Sequence, residues 1–240
     1  MSLANRRVII VGGASGIGAA VAACVIAAQG HAVIAGRTQA RLDDAVAQLG
    51  QSASAAPVDF SDEASVQRFY HQVGRFDHLV LTASSAVAWG AIGEIDAVKL
   101  RAALDNKLVG YWTMVRLGLP QMATDGAITL VGGAAGRMAM PGTAALAAIN
   151  AGVHAMGQTL AVELAPRRVN SVSPGLVATE AYDWMPAPDR EAMFTSAASR
   201  LPARRIGQPG DLAAAILLTL TNPYLTGAIL DIDGGGRLAR

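Results

Sequence analysis

Seven short runs of β-branched and small apolar residues recur along this chain, separated by longer alanine-rich stretches whose apolar residues repeat at helical spacing. No other feature constrains the fold as strongly. A strand that is apolar at nearly every position, such as RVIIV at 7–11, must be buried on both faces, and only a parallel sheet covered on both sides by helices provides that. The expected strands cover 7–11, 32–35, 53–58, 78–82, 127–131, 169–172 and 229–232, and the expected helices 16–29, 39–49, 62–73, 95–118, 143–164 and 210–221. The fold class read from this order is α/β, a doubly wound parallel sheet with helices on both faces. The longest stretch without a clear element, 174–209, contains Trp184, Pro186 and Pro188 and has room for one short helix near 189–199. Irregular segments of that length in a compact domain usually act as lids or binding loops.

Neither a Pro/Ser-rich linker nor a charge block divides the 240 residues, so one domain over 1–240 is expected, with 176–208 as its substrate segment. Mean hydropathy is +0.36, yet the apolar runs are far shorter than the roughly 20 residues a membrane span requires. The start, MSLANRRVII, enters a strand almost at once and leaves no room for a signal peptide's apolar region, so a cytoplasmic location is expected. Cys24 is the only cysteine, which excludes an internal disulfide and a cysteine-rich metal site. Its neighbours Ala23, Val25 and Ile26 suggest a small buried hydrophobe. The 19 basic and 18 acidic residues are interspersed and give a net charge of +1, which argues against a nucleic-acid or anionic-membrane partner.

The segment VIIVGGASGIGAAVAACVIAAQG runs from a strand through glycines into a helix. Gly12, Gly16 and Gly18 let the turn close and let the backbone approach a pyrophosphate, whose charge a helix N-terminus favours. Their spacing is Gly-x-x-x-Gly-x-Gly, and glycine turns also serve plain strand–helix packing; at the first strand of a βαβ unit a dinucleotide is the favoured reading. Dinucleotide sites commonly carry a carboxylate about 20 residues later for the ribose 2′-hydroxyl, but no Asp or Glu lies between Gly12 and Leu42. Instead Arg37 follows Gly36 at the end of the second strand, with Arg41 one helical turn on. A guanidinium there matches a 2′-phosphate, so NADP(H) is expected over NAD(H). Asp59, in PVDFSD, is placed to accept a hydrogen bond from the adenine amino group or to cap the next helix.

Together these residues resemble the short-chain dehydrogenase/reductase family, and the likeness spans essentially the whole chain. VGGASGIG is similar to the family's Thr-Gly-x-x-x-Gly-x-Gly with Val11 in place of threonine. RVNSVSPGLVATE resembles its strand-six signature, and YLTGAILDIDGGG its last strand. The resemblance implies a seven-stranded Rossmann-type sheet, a nicotinamide cofactor and a homodimer or homotetramer. It implies nicotinamide contacts from Pro174, Gly175, Val177 and Thr179, with Ser15, Ile17 and Ala83 among the cofactor contacts, and a lid over the substrate after strand six.

The family's catalytic set is a serine after strand five, a Tyr-x-x-x-Lys pair in the next helix and an asparagine in the helix before. Aligned on Pro141-Gly142, the tyrosine position holds Leu146, the lysine position Asn150 and the serine position Gly133. No shift repairs this: the only lysines are Lys99 and Lys107, and neither has a tyrosine four or seven residues before it. LTAS at 81–84 stands where the family usually shows Asn-Asn-Ala-Gly. Leucine and glycine neither give a proton to a developing alkoxide nor hydrogen-bond it. Asn150 is shorter and neutral, and keeps at best a weaker ribose contact.

One compensation is visible. DNKLVGYW fits the family's Asn-x-x-Gly if Gly110 is the anchor, which puts Lys107 at the asparagine position; a one-residue gap would put Asn106 there instead. A lysine reaching from that helix into the vacated space would donate a proton or hydrogen bond to a substrate oxygen, whereas a lysine with no such role would snorkel to a helix or subunit surface. Ser84, Leu146, Tyr182 and Trp184 are the candidate substrate contacts, with Thr82, Ser85 and Thr143 as further donors and Met138 and Met140 as lining. His154, one turn past Asn150, suits a core or interface position. The leading reading is an NADP(H)-dependent oxidoreductase with a non-standard site acting on a small, largely apolar carbonyl or alcohol. The alternative is an NADP(H)-binding protein without catalysis, and a third reading is hydride transfer to an activated alkene or imine. Helices 95–118 and 143–164, apolar on more than one face, suggest pairing between subunits.

Overall fold

A computed structural model of the chain describes residues 2–82 and 88–239. Among these, seven strands form one parallel sheet in the order β3-β2-β1-β4-β5-β6-β7. The strands are β1 (Arg7–Val11), β2 (His31–Gly36), β3 (Ala53–Pro57), β4 (Phe76–Leu81), β5 (Met122–Val131), β6 (Arg168–Pro174) and β7 (Ile229–Ile232). Alternate residues of each strand face opposite layers. In β1, Val8 and Ile10 pack under α1 (Gly16–Ala27), α2 (Gln39–Leu49) and α8 (Pro209–Thr221). Ile9 and Val11 pack under α3 (Glu63–Val73), α5 (Gly110–Gly118) and α6 (Ala144–Glu163). Tyr70 is fixed in the second layer: its hydroxyl donates to the Met114 carbonyl at 2.7 Å, and its ring stacks on Phe76.

Strand order reverses between β1 and β4, which lie side by side, and a doubly wound sheet opens its binding crevice at the carboxyl ends there. Gly12, Thr82, Gly132 and Gly175 all follow directly on strand ends at that edge.

The helix expected over 95–118 is three pieces: α4 (Ala97–Leu104), a π-helical turn Asp105–Val109, and α5. Over five residues the apolar spacing does not separate a wider turn from a regular one. The wider turn faces Lys107 inward, 6 % exposed, while Val109 two residues on is 49 % exposed. β5 begins five residues earlier than its apolar run, because Met122 pairs with Phe76 before the register shifts and extra residues of β5 bulge between that pair and the pairing of His78 with Ala127. Within 174–209 lies α7 (Ala187–Arg200), longer than the short helix expected and begun by Pro188 in its first turn. Cys24 is half-buried against the α1 layer rather than enclosed.

Candidate active site

The carboxyl ends of the strands enclose a cavity of about 710 Å³. At one end the chain leaves β1 through Gly12 at φ 85° and enters α1 through Gly16 at φ 51°, backbone that L side chains rarely adopt. A Cβ on Gly18 would run into the Gly12 carbonyl, so loop and helix meet with no side chain between them. Ser15 caps α1 with extended backbone, and its hydroxyl makes no bond to the helix. Ser15, Gly16, Ile17 and Gly18 line the cavity, so the start of α1, whose first N–H groups have no partner within the helix, borders it as a cradle suited to a pyrophosphate. Ile17, Pro174, Gly175, Val177 and Thr179 line the same space, and Thr179 Cγ2 lies 3.3 Å from where a Cβ on Gly16 would be.

Arg37 and Arg41 line the cavity beyond Gly36, and neither takes part in a salt bridge among the described residues. Asp59 is not in the lining. Its Oδ1 accepts from Ser61 N and Oγ at 3.0 and 2.6 Å, contacts that with the nearby Arg37 charge hold its carboxyl below the usual range. The helix cap it was also expected to supply comes from Asp62, which accepts from Ala64 N at 3.0 Å. Phe60 lines the cavity instead.

At the other end, Lys107 Nζ donates to the Gly132 carbonyl at 2.8 Å and to Asn150 Oδ1 at 2.9 Å. Burial without a carboxylate pushes its pKa down to about 8. Asn106 is not the inward residue; its Nδ2 donates back to the Ala102 carbonyl at 2.8 Å. Lys107 and Asn150 thus meet across the cavity from two helices, beside Leu146, Ile149 and Ala103. Gly132 was invisible in sequence as a partner because its acceptor is main chain.

The other candidates are distributed unevenly. Tyr182 lines the cavity with its ring edge-on to Phe194 at 5.6 Å, and burial raises its pKa. Trp184 is outside the lining and 74 % exposed, because it lies on the open side of the turn before α7. Met138 and Met140 are also outside the lining. The hydroxyls of Thr82 and Thr143 satisfy main-chain carbonyls, of Val11 and Met140 respectively, both at 2.8 Å. His154 is a core residue, packed on Gly132 with its pKa lowered chiefly by burial. Ala83, Ser84 and Ser85 fall outside the described residues.

A glycine cradle at the switch point and a polar pair at the far end of one cavity define a nucleotide-binding α/β protein of the doubly wound class. Residues 12–236 match the sequence model of the enoyl-(acyl carrier protein) reductase group. The chain is 32 % identical to the cis-4-hydroxycyclohexanecarboxylate dehydrogenase of Sinomonas cyclohexanicum, over 98 % of this chain and 97 % of that one. It superposes with a TM-score of 0.83 on a small-chain dehydrogenase in complex with NADPH, at 35 % identity, covering 98 % of this chain and all of the other. It superposes at 0.89 on an NADPH-bound short-chain oxidoreductase from Pseudomonas aeruginosa PAO1 containing an atypical catalytic centre, at 27 % identity and 96 % of each chain. The chain belongs to the short-chain dehydrogenase/reductase family.

Proposed function

We propose that this protein is an NADP(H)-dependent oxidoreductase with a substituted active site, in which Lys107 replaces the family's tyrosine as proton donor to a small, largely apolar carbonyl. The observation that carries the reading is the Lys107 ammonium, buried at the cavity wall and held by Gly132 O and Asn150 Oδ1. Two of its three N–H bonds are engaged, which leaves one for a substrate oxygen.

The residues fit the cofactor: the glycine cradle and the α1 N-terminus suit the pyrophosphate, and Arg37 with Arg41 suits a 2′-phosphate. NADPH in two similar structures supports the same choice. When bound, the reduced nicotinamide supplies hydride. As hydride reaches the carbonyl carbon, the C=O electron pair moves to oxygen, and Lys107 passes it a proton to give the alcohol. Burial lowers the Lys107 pKa to about 8, nearer neutrality than a solvated lysine, which suits an acid that must also recover its proton. Leu146, Ile149 and Ala103 give the reacting group an apolar bed, with Tyr182 at the wall. Domain 1–240 acts as a unit in this reading, and 176–208 covers the substrate. The groove of about 440 Å³ between α5 and α6, lined by Leu108, Val109, Trp112, Gly152 and Met156, takes the same face of a second copy to build the homo-oligomer.

The test is single-turnover absorbance at 340 nm, mixing NADPH-loaded protein with ketones, quinones, imines and activated alkenes. Oxidation that falls about 10²- to 10⁴-fold in Lys107→Met is expected. Tight NADPH binding with no oxidation across the panel favours the cofactor-binding alternative.

A further inference from the structure

Gly133 follows β5 where the resemblance leads one to expect a serine, and the Asn150 amide takes the place a side chain would need: an added Cβ would lie 2.7 Å from Asn150 Nδ2, which would have to shift. The orientation of that amide follows from chemistry. An ammonium has donors only, so the Asn150 atom 2.9 Å from Lys107 Nζ must be the carbonyl oxygen. The amide nitrogen is thereby directed to the space above Gly133. Asn150 is 5 % exposed, lines the cavity, and its Nδ2 has no hydrogen-bond acceptor among the described residues.

Lys107 is unusual in its own way. It is 6 % exposed, its two partners are neutral carbonyls, and no carboxylate forms a salt bridge with it among the described residues. A buried cation with neutral partners only, next to an amide N–H with none, is electrostatically complementary to an oxygen that gains negative charge.

We propose that Asn150 Nδ2 is a second catalytic donor, which with Lys107 Nζ forms a two-pronged pocket for a substrate oxyanion, in the cavity that Lys107, Gly133 and Asn150 line. The proposal rests on the reading of Lys107 given above and adds to it. As hydride from the reduced nicotinamide adds to the carbonyl carbon, the π pair moves to oxygen, Asn150 stabilises that charge without transferring a proton, and Lys107 protonates it. Lys107 regains its proton from solvent, and the balance closes with the nicotinamide as the two-electron reductant and the alcohol as product. The same two donors select acceptors whose reduction places charge on oxygen, so ketones and conjugated enones, which give alkoxides and enolates, are preferred over imines.

The probe is 4-nitrophenol, whose ionised oxygen mimics the oxyanion and whose absorbance near 400 nm reports ionisation. In the NADP⁺-saturated protein the pocket is expected to bind the phenolate and lower the phenol's pKa. Asn150→Ala, which leaves Lys107 bonded to Gly132 O, is expected to weaken phenolate binding about 10²-fold, the scale of losing one oxyanion donor. The double variant Gly133→Ser with Asn150→Ala supplies a hydroxyl donor from the other side and is expected to recover most of that loss, which a merely structural defect would not allow. NADPH fluorescence checks that each variant still folds and binds cofactor. Phenolate binding that needs Lys107 but is unchanged in Asn150→Ala, or is lost there without rescue, overturns the second donor and leaves the Lys107 reading standing. Failure of the wild-type complex to bind phenolate overturns the oxyanion pocket, while the 340 nm assay separately decides Lys107.

Discussion

Replacing Lys107 by methionine should change how stability depends on pH, in a direction and by an amount set by its burial. In the folded chain its pKa falls from 10.5 to about 8 because the ammonium is removed from water. Below about pH 8 both folded and unfolded chains carry the proton, and the folded state bears the full cost of the buried charge. Between about 8 and 10.5 the unfolded chain holds a proton that the folded chain has released, so stability rises with pH at about 1.4 kcal/mol per unit. From pH 7 to pH 10 the wild type should therefore gain about 2.5 kcal/mol relative to Lys107→Met. Methionine leaves Gly132 O and Asn150 Oδ1 without their donor, at about 1–3 kcal/mol each, but that offset is the same at both pH values and cancels. Urea unfolding of both proteins at pH 7 and pH 10 gives the double difference directly. Parallel profiles would refute the reasoning, because they would mean that the ammonium is solvated in the folded state.

The remaining predictions concern the cofactor end and the subunit face. Arg37→Ala should weaken NADPH binding about 10- to 100-fold, the scale of a lost charge-assisted pair, with NADH binding unchanged in the same fluorescence titration. Gly18→Ala should abolish the NADPH fluorescence signal and cost about 1–3 kcal/mol in urea unfolding, since the methyl group is driven into the Gly12 carbonyl. Trp112→Glu places a charge on a residue 54 % exposed at the rim of the α5–α6 groove, and should shift sedimentation velocity towards monomer while leaving the circular dichroism spectrum unchanged.

Much of the fold was legible because the strands are apolar on both faces. β1, β7 and α2 begin and end where their residue patterns do. The π-helical turn was not legible, since Asp105–Val109 has the apolar content of an ordinary helical turn. Lys107 could be singled out as one of two lysines at a recognisable distance from Gly110; choosing it over Asn106 required the structure, in which Asn106 bonds its own helix. For Asn150 the sequence showed less. Its position was readable, but an amide that accepts from Lys107 and aims its nitrogen over Gly133 depends on a contact between residues 43 apart and on a missing side chain. Trp184 was expected at the pocket from its place in the lid segment that the resemblance implies, and Met138 and Met140 as apolar lining; neither segment position nor residue type determines which side of a turn faces inward.

The central claim is that Lys107 gives the proton, and the pH dependence of single-turnover NADPH oxidation tests it most directly. With a ketone acceptor the wild-type rate should be level below about pH 8 and fall about tenfold per unit above it, as the side chain loses the proton it must donate. Lys107→Met should show only a slow residual rate that does not vary through that range. A wild-type rate that is level past pH 9, or a Lys107→Met profile that retains the same break, would contradict the claim.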